Sequence, residues 1–168
     1  RPGEKSEQKV KLVREEVNVP NVPYSGMVSD KVGYVALSTF ARDAGRNVAN
    51  AFKKLKEATP DMNGLIFDLR GNGGGLLNEA VNICNIFIPK GQIVVTTKGK
   101  VKDWDRSFKT LNPSMDEEIP VVILIDKNSA SASEIVSGVL QDYDRAVLLG
   151  QRSYGKGLVQ NTRDIGYN

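Results

Sequence analysis

Three serines stand at alternate positions, Ser129, Ser131 and Ser133, in the stretch NSASASEI at 128–135. A serine where an aliphatic run feeds a helix is held clear of the sheet, and the helix dipole favours a developing negative charge on its oxygen. Attack also needs a base to take the hydroxyl proton, and histidine, the usual one, is absent from the sequence. Lysine is the alternative. Lys156 lies between two glycines in GQRSYGKGLVQ at 150–160, just past an aliphatic stretch. A lysine of ordinary pKa, near 10.4, is protonated at neutral pH and cannot accept a proton. Bringing it to neutrality means disfavouring the charged form by roughly 4 kcal/mol, which a dry site away from carboxylates supplies. No Asp or Glu lies between Gln151 and Thr162, and Gln160 could hold the neutral amine by a hydrogen bond.

The same residues admit plainer readings. Ser131-Ala132-Ser133-Glu134 fits a capping box, with Ser131 as N-cap and Glu134 reaching back, and local pattern alone favours that role. A lone lysine is most often a solvated surface charge. If one serine attacks, Ser131 is the best placed: Ser129 is nearer the strand end, Ser133 falls inside the first turn, and the Ala132 amide is free to donate. The glycines of GNGGG at 71–75 either let a helix pack closely on its strand or present amides to an oxyanion or carboxylate. They are not a dinucleotide fingerprint, because the last glycine and the distal acid are missing. Nor is GQRSYGKG a phosphate-binding loop, since Gly157 stands where a Ser or Thr hydroxyl must bind magnesium.

The elements that must position these loops alternate between strand and helix. Residues 8–19 alternate apolar and charged positions, as a half-buried strand does. VGYVALSTF predicts a strand to Phe40, and Ala44, Val48, Phe52 and Leu55 share one face of a helix ending at Pro60. GLIFDLR at 64–70 shows no alternation and reads as a strand covered on both faces. Leu77, Ala80, Val81, Cys84 and Ile88 mark a second helix. QIVVTTKG is a strand, and 100–118 is a surface excursion, a candidate hairpin carrying Trp104 and Phe108. IPVVILID leads into the serines, Ile135, Val136, Val139 and Leu140 group on a third helix, RAVLLG is a strand, and GLVQNTRDIG suggests a strand and turn. Such alternation predicts a layered α/β fold with a largely parallel sheet, whose strand-to-helix loops share one edge.

Composition narrows the function. At 168 residues and 40% hydrophobic, the chain predicts one domain, and no apolar run reaches the roughly 20 residues of a membrane span. The single cysteine, Cys84, is a core residue, no zinc site of nitrogen and sulfur ligands is available, and no cofactor is expected. A net charge of +3, with bases scattered among nearly as many acids, is a poor footprint for nucleic acid.

Together, DKVGYVALSTF, GLIFDLRGNGGGLL, VVILIDKNSASASEIVSGVLQDYDRAVLLG and RSYGKGLVQ resemble, in order and context, the C-terminal processing peptidases, or tail-specific proteases. The resemblance runs from about Asp30 to the end. It implies a crotonase-like α/β core at 30–168, preceded at 1–29 by the tail of a PDZ domain and linker. It implies Ser131 as nucleophile, Lys156 as general base and Gln160 as its orienting partner. The oxyanion hole would come from the Ala132 amide and a glycine amide of GNGGG, with Gly74 favoured and Gly75 the alternative. It further implies protein or peptide substrates held by their C-terminal region, and an extracytoplasmic setting such as the bacterial periplasm. A non-catalytic peptide- or ligand-binding domain on the same fold is the alternative.

Overall fold

The computed structural model describes residues 9–15, 19–160 and 166. In chain order the elements are β1 (Tyr24–Met27), β2 (Val32–Ala36), α1 (Ala44–Ala58), β3 (Gly64–Asp68), α2 (Leu77–Phe87), β4 (Ile93–Thr97), a 3-10 turn (Lys102–Trp104), β5 (Arg106–Lys109), β6 (Val121–Ile125), α3 (Ala132–Asp142) and β7 (Ala146–Gly150). Five strands form one sheet in the order β1-β2-β3-β6-β7, antiparallel between β1 and β2 and parallel elsewhere. β4 and β5 form a separate antiparallel hairpin.

From β2 to β7 each parallel strand is added on the same side of its predecessor. Right-handed crossovers then place the intervening helices on one face, where α1 packs on α2 and α2 on α3. The burial of the strands follows. In β6, Val121 and Ile123 are buried while Val122 and Leu124 are half-buried, and in β7 Val147 and Leu149 are 67% and 60% exposed. The double coverage predicted for GLIFDLR is therefore corrected: Leu65 and Phe67 face the helices, and Ile66 between them is half-buried. A continuous aliphatic run does not by itself distinguish one covered face from two.

Phe40, Phe52, Phe67, Phe87, Leu69, Ile83 and Ile123 fill the space between sheet and helices. α1 and α2 come close at Gly45, where a Cβ would stand 2.5 Å from Asn82 Cβ. There the Glu79 carboxylate accepts the Gly45 amide at 2.8 Å and the Asp43 amide at 3.3 Å, so α2 satisfies the N-terminal donors of α1.

Two predicted strands are absent from the described residues. Residues 9–15 carry no regular structure, and Val10, Leu12 and Val13 are more than 70% exposed, because on this side the sheet ends with β1 and offers them no partner. Residues 151–160 likewise form neither helix nor strand, and the rest of that predicted strand and turn lies largely outside the described residues. Upstream of Asp30 the sheet already includes β1. Asn21 is buried, its side chain bonded to Arg42 O and Asn47 Nδ2.

Candidate active site

β3 and β6 are neighbours and both run toward the same sheet edge, which brings the GNGGG loop after β3 against the serine loop after β6. The two loops are stitched by hydroxyls. Ser129 Oγ donates to Leu69 O at 2.8 Å and Ser133 Oγ to Asn72 O at 2.9 Å, and both serines are fully buried. Of the three, only Ser131 is left partly open to solvent. Two serines bind the loops together and the middle one faces out.

Ser131 pays for that placement in backbone geometry. Its φ of 57° and ψ of −113° lie where a residue with a Cβ is strained, a cost of order 1–3 kcal/mol sustained only by firm surroundings. Those surroundings are visible. Asn72, fully buried, donates from Nδ2 to Leu37 O at 2.8 Å, accepts the Gly74 amide on Oδ1 at 2.9 Å, and accepts the Ala130 amide on its carbonyl at 3.1 Å. Asp126 takes the Gly71, Asn128 and Ser129 amides at 2.9 to 3.1 Å. The Gly71 bond leads the hydrogen bonds that hold its carboxyl below the usual aspartate value against a smaller effect of burial. Gly74, at φ 96°, lies directly under the serine. A Cβ there would meet Ala130 O at 2.7 Å, Ala132 N at 2.9 Å and Ser131 Cβ at 2.9 Å.

Ser131 is also the N-cap of α3, and the capping box predicted from its sequence is present, with the Ser131 amide donating to Glu134 Oε2 at 2.8 Å. Capping and exposure of the hydroxyl therefore coexist. The Ala132 and Gly75 amides have no hydrogen-bond partner among the described residues. The Gly74 amide, in contrast, is engaged by Asn72, whereas the amides of both Gly73 and Gly75 are without a partner among the described residues.

Glu134 does more than cap. Its Oε1 accepts Ser153 Oγ at 2.7 Å and the Gly155 amide at 2.6 Å, and its Oε2 accepts the Lys156 amide at 2.8 Å. Burial works against its charge, yet the hydrogen bonds from Ser153, Lys156, Ser131 and Gly155 outweigh it and hold the carboxyl below the ordinary glutamate value. The sequence reading saw Glu134 only as a cap, because nothing local to 131–134 points to residues some twenty positions away. It also took the Lys156 neighbourhood to be free of acids. This is corrected: the segment itself has none, but α3 delivers one. The dry pocket is corrected too, since Lys156 is exposed. Its Nζ donates to Gln160 Oε1 at 3.2 Å and makes no hydrogen bond to Ser131 among the described residues. An open cleft of about 520 Å³ lies between Gly73 and Ala130 on one side and Tyr154 to Leu158 on the other, beside Ser131.

Below the glycine loop, Asp68 at the end of β3 is 8% exposed and accepts Tyr34 OH at 2.5 Å and Arg70 Nη2 at 2.6 Å. Burial opposes its charge, and the bonds from Arg70 and Tyr34 prevail, lowering its pKa. Arg70 turns back onto Asp68 through both Nε and its own amide, which fixes the first residues after β3. Aspartate and arginine two apart in DLR were a legible signal that went unread.

Residues 31–168 of the chain match the family model for peptidase family S41. The chain belongs to peptidase family S41. It is 39% identical over 161 residues to the "Probable CtpA-like serine protease" of Staphylococcus aureus (strain N315), covering 95% of this chain and 31% of that protein. It is 38% identical to the "Carboxy-terminal-processing protease" of Bartonella bacilliformis, covering 95% and 36%. Among solved structures, the photosystem II D1 C-terminal processing protease superposes with a TM-score of 0.74 at 28% identity, over 88% of this chain and 40% of that one. The chain spans about a third of the length of the curated family S41 relatives it matches.

Proposed function

We propose that this chain carries the catalytic machinery of a serine endopeptidase in which Ser131 is the nucleophile and Lys156 the general base. The observation that carries the reading is the state of Ser131: strained, half-open, seated on the N-terminus of α3, between two buried serines whose hydroxyls are already engaged. In the working site a neutral Lys156 amine takes the Ser131 proton as Oγ bonds to the scissile carbonyl carbon. The resulting oxyanion is met by the Ala132 amide and by a glycine-loop amide, for which Gly73 and Gly75 are the unengaged donors and Gly74 the residue that permits the close approach. As the intermediate collapses, the lysine returns its proton to the leaving amine. It then deprotonates the water that cleaves the acyl ester and frees Ser131. Gln160 steadies the amine as an acceptor that adds no charge.

For this to run, Lys156 must exchange its present exposure for contact with Ser131. The loop from Ser153 to Lys156 is already tethered by Glu134 through the Ser153 hydroxyl and the Gly155 and Lys156 amides, so only the lysine side chain, now bonded to Gln160, has to turn. Kinship with carboxy-terminal-processing proteases supports protein substrates selected by their C-terminal tails, work outside the cytoplasm, and a PDZ domain ahead of the core, with the core beginning at β1 rather than at residue 30. Peptide cleavage should fall on the order of 10⁴-fold or more in Ser131→Ala and in Lys156→Ala. Undiminished cleavage in either variant overturns the assignment.

A further inference from the structure

The β4–β5 hairpin carries a charge pattern that the site does not use. Residues 93–110 hold five cations, Lys98, Lys100, Lys102, Arg106 and Lys109, against two acids, Asp103 and Asp105. Their balance of +3 equals the net charge of the whole molecule. All five cations are exposed, and Lys98, Lys100 and Lys109 form no ion pair among the described residues. Of the two acids, Asp105 is turned into the tip, where its carboxylate accepts the Gly99 amide at 2.9 Å, while Asp103 is exposed and Arg106 donates to the backbone carbonyls of both. Between the lysines, the tip presents Val101 and Trp104, 41% and 52% exposed.

The root is firm. Thr110, 1% exposed, donates from Oγ1 to Pro89 O at 2.6 Å and accepts the Gln92 amide at 3.0 Å, and Tyr143 OH at the end of α3 donates to Ile93 O at 3.1 Å. α2 leaves the glycine loop at Leu77 and runs about 16 Å before the chain turns into β4, so the root of the hairpin lies a helix length from that loop.

We propose that this hairpin is a peripheral docking surface for a bilayer bearing anionic lipid headgroups. Trp104 and Val101 enter the interfacial region, and the flanking lysines meet the lipid phosphates. One tryptophan beside one valine suits shallow insertion, whereas a single-stranded nucleic acid calls for a row of aromatic faces on which successive bases stack. The attraction is electrostatic, so it fades as the screening length falls to roughly 8 Å near physiological salt and below.

Trp104 is the sole tryptophan, so its emission reports the event directly. The chain is titrated at low salt with vesicles of phosphatidylcholine containing phosphatidylglycerol, and with phosphatidylcholine alone. A blue shift and co-sedimentation are expected with the anionic vesicles only, reversed by salt. Each lysine contributes on the order of fivefold in partitioning. Lys98→Gln, Lys100→Gln and Lys102→Gln combined should therefore weaken binding on the order of a hundredfold with unchanged circular dichroism. Trp104→Ala should weaken sedimentation separately. Absence of both shift and sedimentation at low salt overturns the proposal, as does equal binding to uncharged vesicles. So does binding of an oligonucleotide or acidic peptide with no response to vesicles.

Discussion

Replacing Ser131 by glycine separates two properties that its position combines. Glycine relieves the positive φ, whereas alanine keeps the strain and loses the cap, at a cost of about 1 kcal/mol. Ser131→Gly should therefore unfold at or above the wild-type denaturant midpoint and Ser131→Ala below it, both without peptidase activity. A glycine variant less stable than the alanine one would show that the backbone there is not strained. Lys156 has its own test. Lys156→Arg, which cannot shed its proton, should be inactive at every pH, and an active arginine variant would remove lysine as the base.

Helix α3 reaches the lysine loop through Glu134, and the sign of its pH dependence follows from that. A carboxyl held below its ordinary value of 4.5 contributes stability that is fully present above that value and is lost as pH falls through the folded one. Glu134→Gln should imitate acid, since the amide retains one acceptor oxygen where the carboxylate had two. A loss of about 2 kcal/mol is expected, with faster hydrogen exchange at the Gly155 and Lys156 amides than at the core strands. Exchange there equal to wild type would mean the tether is idle. For the glycine loop, Gly74→Ala meets three atoms inside 3.0 Å and an unfavourable φ. It should cost more than about 2 kcal/mol and displace Ser131, read as a lower unfolding midpoint together with loss of cleavage.

Across the molecule, Asp68, Asp116, Asp126 and Glu134 all sit below their ordinary values of 3.8 or 4.5. Urea midpoints should therefore hold near neutral pH and fall as pH drops below about 4.5; a midpoint that rises in acid would contradict the hydrogen bonds described. The amphipathic helices were legible because the spacing of Val48, Phe52, Ala80 and Cys84 needs only local periodicity, and Ser131, Lys156 and the glycine loop stood out by residue type. What escaped was non-local. The exposed outer face of β7 depends on which side the crossovers take, residues 9–15 lack a pairing partner, and the Glu134 bonds join loops distant in sequence. The last of these matters most for precision. Glu134 Oε2 receives both the Ser131 and the Lys156 amide, so one oxygen atom serves as a common datum for the two halves of the site. Their mutual placement then need not be inherited through all of α3 and β7, and when those elements breathe, the Ser131 and Lys156 backbones travel together.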